Sequence, residues 1–281
     1  MDEKSLHILE YHKILERLMG YCAFSASAEK AQNLRPSTDL DEANRLLAET
    51  REASQLLVTR SDLTIGGARD MRTQVDLAAH GAVLTPQELL DIKSTLVAAR
   101  TLSRVFERLQ EQFPRLYAIA ARFPPALGLV DAITRAISDR GEVLDSASDK
   151  LGNIRRDMRI AYDRLMSKLQ RIVADPKNTP MLQDAIITQR DGRYVIPLRA
   201  EFKGQIRSVV HDQSASGATL FVEPLGVVDH NNQYRELQLA ERDEVRRILS
   251  DLSLQVGRQA QEILLAVDII AELDLIFARA K

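Results

Sequence analysis

The 281-residue chain has no tryptophan, and aromatic residues make up only 5% of it. Tyr194, Phe202 and Phe221 are too few to argue for a platform on which unpaired bases stack. Cysteine occurs once, at Cys22, so no internal disulfide can form and a reducing compartment is implied. Cys22 falls in a helical pattern with Leu15, Leu18 and Met19, which predicts a buried apolar thiol rather than a nucleophile. No run approaches the ~18 apolar residues that a membrane helix needs. The acidic opening MDEKSLHILE has no signal-peptide core, so a cytoplasmic setting is expected. A dominant charge is missing too: 38 Lys and Arg against 40 Asp and Glu give a net −2, which excludes a polybasic binder as a description of the whole chain.

The common catalytic signatures are also missing. No GxxxxGK[ST] loop occurs, and Gly66-Gly67 and Ser214–Gly217 lack the lysine that cradles a nucleotide phosphate. His211-Asp212 with Ser214 and Ser216 invites a hydrolase reading. Neighbours on a strand point to opposite faces, so these two could not align as base and orienter; a polar turn is the simpler account. His230 is too distant in sequence to complete a metal site with His211. His7, His12 and His80 are scattered over helical segments. Neither catalysis nor a bound metal or cofactor is expected of this chain.

What is present is helix-forming sequence, rich in Leu, Ala, Arg and Glu. Apolar spacing predicts helices over 5–22 and 40–59, the latter capped from Thr38-Asp39. Thr85-Pro86-Gln87-Glu88 is a capping box with proline in the first turn, opening a helix to about residue 109. Prolines 114, 124 and 125 bracket another, and 127–138 forms one more. Residues 1–145 therefore read as a helical core domain.

The second half changes character. Leu151, Ile154, Met158, Ala161, Leu165, Leu169 and Ile172 recur at threes and fours, the seam of a long helix over 146–174. Asp191-Gly192, between β-rich runs at 185–189 and 193–198, predicts a hairpin. Pro197 cannot donate to a ladder and predicts an edge position for its strand. Two more runs, 206–211 and 219–222, complete a β unit at about 184–223. From Val228 to Ala280 the pattern is helical without proline, a rod of ~75 Å if unbroken, with Gly257 as a possible bend. The fold class expected is mainly α: a helical core domain, then a lever domain over 146–281 with two long antiparallel helices and a small β-hairpin tip. An ordinary helical bundle is the plainer alternative.

Residues 150–207 hold 13 Lys and Arg against 6 Asp and Glu, a balance of +7 in a chain of net −2. A local basic field is what phosphate-backbone contact requires. The candidate contacts are Arg155, Arg156, Arg159, Lys168 and Arg171 on the helix and Arg190, Arg193, Arg199, Lys203 and Arg207 on the β unit. On the helix, a solvated face laced with internal ion pairs accounts for the same residues equally well. A coiled-coil dimerisation or interaction scaffold without nucleic-acid contact stays open as the competing function.

The run Val209–Pro224, VVHDQSASGATLFVEP, with Asn231-Asn232, Arg235-Glu236-Leu237 and Glu241, strongly resembles the bacterial MutS-II family, the second MutS-like branch. Gly66-Gly67 with Asp70-Met71-Arg72, the Gly81–Leu84 turn before Pro86–Leu89, and the Arg193–Leu198 strand match as well. The resemblance implies a core domain with a lever and clamp. It also implies a following dimerising ATPase, needing ATP and Mg, and an Smr nuclease domain, the sequence ending at Lys281 about where that ATPase would begin. The partners implied are branched or double-stranded DNA, bound to suppress homologous recombination, or collided ribosomes and their rRNA, with a homodimer as the full-length state.

Overall fold

The computed structural model describes residues 3–60, 65–126 and 128–281. The chain divides into two compact units, Met1–Leu144 with Leu249–Lys281, and Asp145–Ile248. The elements in order are α1 (Glu3–Ile8), α2 (Tyr11–Met19), α3 (Ser25–Gln32), α4 (Leu40–Thr59), α5 (Arg72–Ala79), α6 (Pro86–Arg108), α7 (Pro114–Ala120) and α8 (Leu129–Ala136). Then come α9 (Asp149–Ala174), β1 (Thr188–Arg190), β2 (Arg193–Arg199), β3 (Ser208–Gln213), β4 (Thr219–Pro224), α10 (Val228–Arg258) and α11 (Ala260–Ala280). The protein is mainly α with one small antiparallel sheet.

In the first unit, Thr85 caps α6 through the expected reciprocal box with Glu88. The helix expected over 127–138 is α8, residue 127 lying outside the described residues. The helix expected over 5–22 is broken between α1 and α2, where Glu10 adopts a left-handed backbone at φ 49°. Leu6 and Leu15 are buried but Ile8, Leu9 and Ile14 are exposed, so only part of the apolar spacing there is drawn into the core. Cys22 is half-buried, its thiol donating to the Leu18 carbonyl, and burial pushes its pKa up.

The largest departure concerns the C-terminus. The helix expected over 228–281 breaks at Gln259 (φ −110°), and α11 packs among α3, α4, α5, α6 and α7. Ile263, Val267, Ile270, Leu273, Ile276 and Phe277 are all buried. A helix apolar on every side must be surrounded, and this is why 249–281 joins the core unit instead of the lever domain to which periodicity assigned it. Gly257 is not the bend. An added Cβ there would lie 2.6 Å from the Ala78 carbonyl oxygen and 3.1 Å from Ala79 Cα. Gly257→Ala is expected to cost about 2 kcal/mol by overpacking, measured by urea unfolding; an unchanged midpoint would contradict this close approach.

Two short helices of this unit lack a capping side chain of their own and borrow one. Asp274 of α11, itself 3% exposed, accepts from the Ala23 and Phe24 amides at 2.9 and 3.2 Å and from the Ser27 hydroxyl at the start of α3. Glu52 of α4 accepts from the Arg115 and Leu116 amides at the start of α7. Amides left over at a helix start must be satisfied, and carboxylates favour that end of the helix dipole.

In the second unit, Ser148 caps α9, its hydroxyl accepting from the Leu151 amide at 3.0 Å. Leu151, Ile154, Ala161, Leu165 and Leu169 form the buried seam. Contacts from α9 to α10 descend as α9 ascends: Ser148 to Glu244, Arg155 to Glu241, Tyr162 to Tyr234. The two helices are therefore antiparallel over this stretch.

The β unit is a four-stranded sheet, ordered β1-β2-β4-β3 and antiparallel throughout, rather than a lone hairpin. Asp191 (φ 48°) and Gly192 (φ 77°) make the expected two-residue turn, both left-handed as such a turn demands. Ile196, Leu198, Leu220 and Val222 share a core with Leu165, Leu169 and Val173 of α9; each fully buried leucine or isoleucine contributes about 2 kcal/mol. Contrary to the expectation from Pro197, β2 is an inner strand. Its pairing with β1 stops at Val195, and on that margin the Pro197 carbonyl accepts from Gln183. The missing N–H thus faces a stretch with no ladder to satisfy.

Candidate nucleic-acid interface

Because β2 and β3 both run antiparallel to β4, they are parallel to each other. β2 ends opposite Thr219 at the start of β4, and β3 begins opposite Pro224 at its end. The connection 200–207 must therefore cross back along the length of β4, roughly 17 Å at strand rise. Phe202 and Ile206 pack against the core cluster and hold this strap down, while Lys203 and Arg207 are exposed, as is Arg199 where it begins. The Arg199 Nε donates to the Leu182 carbonyl at 3.2 Å. Neither Arg199, Lys203 nor Arg207 has an ion pair among the described residues. The result is a spaced row of three free cations across the sheet.

The other β-unit candidates are engaged. Glu223, 1% exposed, is the centre of a buried polar network. It accepts from Arg193 at 2.9 and 3.1 Å, pairs with His211 Nε2 at 2.7 Å, and accepts from Asn231 Nδ2 at 2.8 Å. Arg193 also donates to Asn232 Oδ1 at 2.6 Å. Asn231, at the start of α10, bonds both the amide and the carbonyl of Tyr194, continuing the ladder where β4 has ended. A bulge between Val210 and Asp212 leaves His211 as the extra residue of β3, with its ring against Glu223. Arg190 pairs with Asp212 at 2.9 Å and lies 3.9 Å over the Phe221 ring. Tyr162, Tyr194 and Tyr234 meet beside this network with ring centroids 5.6–5.9 Å apart, and burial pushes Tyr194 up to about 12.

His211 therefore has a structural partner. Asp212 bonds the Gln213 amide, and the Ser214 hydroxyl accepts from the Thr219 amide, which is the polar turn expected from the sequence. Among the described residues no three His, Cys, Asp or Glu side chains group to hold a metal.

On α9 the candidates divide likewise. Arg155 is bound on two sides, to Asp145 at 2.6 Å and Glu241 at 2.9 Å. Arg156 approaches only its exposed neighbour Asp157 at 3.7 Å, a pairing of little weight. Arg159, Lys168 and Arg171 are exposed and have no ion pair among the described residues. Arg164, not singled out from sequence, is in the same condition; its spacing from Lys168 and Arg171, i, i+4, i+7, was the available signal.

Glu244 of α10, another residue that the sequence did not flag, ties the start of α9 to α10. It accepts from Ser148 at 2.9 Å and pairs with Arg247 at 2.7 Å and Lys150 at 3.1 Å. The Arg247 bonds, chiefly, hold its carboxyl down at about 2. A depressed carboxylate stabilises the fold above its unfolded pKa and loses that contribution as pH falls towards the folded value. Acid titration should therefore weaken the second unit between about pH 4.5 and 2, and Glu244→Gln should remove that part of the acid dependence. An identical acid profile for the variant would refute the linkage.

No protein-family model matches the chain. Curated relatives match it from end to end. The "Endonuclease MutS2" of Geobacillus sp. (strain WCH70) is 42% identical over 284 residues, that of Pelotomaculum thermopropionicum 41% over 281, and that of Thermomicrobium roseum 42% over 284. Each alignment takes in 100% of this chain and 36% of the relative, so the chain spans about a third of the length of the proteins it matches. On a likeness sustained over its whole length, the chain belongs to the MutS2 family.

Proposed function

We propose that this chain is the nucleic-acid-holding part of a MutS-like ATPase, gripping a phosphate backbone without itself carrying the chemistry. The observation that carries the reading is the row Arg199, Lys203 and Arg207 along the strap, three exposed cations without ion pairs among the described residues. Exposed cations with no internal carboxylate are free to displace counterions from a polyanion. Arg159, Lys168 and Arg171 extend the set on α9. Arg155, Arg190 and Arg193 leave it, because each already pairs with a carboxylate of its own unit. Nothing in this surface reads bases, so recognition would follow backbone and shape.

The whole protein, on this reading, is a homodimer in which ATP hydrolysis moves the holding parts. Its targets are branched DNA in suppressing recombination, or the ribosome in splitting collided particles. The nuclease activity carried in the relatives' name would reside outside the aligned segment. A mobility-shift comparison of branched DNA with structured ribosomal RNA tests the reading, and micromolar binding of either supports it.

A second reading rests on β3, an open sheet edge that exposes Val209 and Val210. It makes the chain a dimerisation scaffold. Sedimentation showing a dimer that resists dilution, from a chain that ignores both DNA and RNA, would favour it.

A further inference from the structure

The C-terminal half of α9 walls an open cleft of about 730 Å³, bordered by Arg164, Lys168, Arg171, the 175–178 turn and His230 of α10. At 100° per residue, Arg164, Lys168 and Arg171 lie within an arc of about 60°, and none has an ion pair among the described residues. The acidic groups facing the same space are Asp163 and Asp175. Asp175 already accepts from the Lys177 amide at 2.9 Å, holding its own turn. Ser167, on the same helix face, adds a hydroxyl. The His230 ring closes the far wall, and its buried Nδ1 has no hydrogen-bond partner.

We propose that this cleft is a binding site for a single phosphate group, separate from the cation row on the strap. Two guanidinium forks and an ammonium converge on one space, the donor geometry that phosphate oxygens take up, and the space is large enough for a phosphate with its attached sugar. Arg164 and Arg171 clamp the oxygens, Lys168 supplies a point charge between them, and the His230 ring borders the bound group from the opposite helix. The shared chemistry fits a backbone phosphodiester or a free phosphate. Only the first of these sources rests on the nucleic-acid reading.

The test follows the imidazole signals of the intact chain by NMR, with His230 assigned by a His230→Asn variant, as inorganic phosphate replaces chloride at constant ionic strength. The His230 signals should shift saturably with phosphate. R164Q/K168Q/R171Q, which alters only exposed side chains, should weaken that response at least ten-fold. R199E/K203E/R207E should leave it unchanged, so that failure of the cleft and failure of the strap are told apart. A pentadeoxynucleotide shifting the same signals identifies the backbone as the source; a response to inorganic phosphate alone supports the site with free phosphate as its ligand. No phosphate-specific shift at His230, or an undiminished shift in the triple glutamine variant, would overturn the proposal.

Discussion

Replacing Arg199, Lys203 and Arg207 together by glutamate is expected to weaken binding to branched DNA or ribosomal RNA by at least ~100-fold near 0.1 M salt, and to reduce the salt dependence by about three contacts. The fold should survive, since the three side chains are exposed and none is paired with a carboxylate among the described residues. Phe202 and Ile206, which fasten the strap, are untouched. Each reversal removes a counterion-releasing contact and sets a like charge against the phosphate row, so the effects should accumulate. Arg193 is deliberately left out. Its reversal would strike Glu223 and confound lost binding with lost structure. A triple variant that is folded and binds with wild-type affinity would remove the strap from the interface.

The second large effect is on stability. Glu223→Ala should destabilise the second unit by about 3–5 kcal/mol, the cost of breaking a buried ion pair by removing one partner. Arg193, His211 and Asn231 would lose their common acceptor at once. Asn231 would then be less firmly held against Tyr194, where it completes the ladder between the sheet and α10. Chemical denaturation gives the magnitude, and faster exchange of the Tyr194 amide would localise it. A loss below about 1 kcal/mol would mean that the network does not tie sheet to helix. Glu223→Gln, which keeps an acceptor but not the charge, should fall between wild type and alanine.

Much of the local structure was legible because its determinants are local. Thr85 with Glu88, Asp39 before α4, and Asp191-Gly192 each specify their own cap or turn within four residues. The Leu151–Leu169 seam was equally plain, since helical spacing and burial coincide there. What escaped depended on partners distant in the chain. Residues 199–205 fall between two β-rich runs and 206–207 read as the start of the second, and only the pairing of β2 and β3 on either side of β4 makes 200–207 a crossover. Periodicity continued through Gln259, but the all-round apolar character of α11 drew it into the first unit.

The site was half legible for the same reason. Counting charge located the basic excess over 150–207 but could not say which cations were spent internally. Arg193 and Arg199 look alike in sequence. One meets a buried carboxylate thirty residues on, while the other meets only the Leu182 carbonyl. The bulge at His211 also escaped, since an extra residue in a strand shows only in its register with β4.

The central claim is that free cations, not base-reading groups, make this chain a nucleic-acid grip. Affinity for branched DNA and for ribosomal RNA, measured as a function of salt, tests it most directly. Three strap contacts on duplex DNA predict a slope of log affinity against log salt of about −2.7 or steeper, little changed between unrelated sequences. Binding that ignores salt, or no binding at low salt, would contradict it.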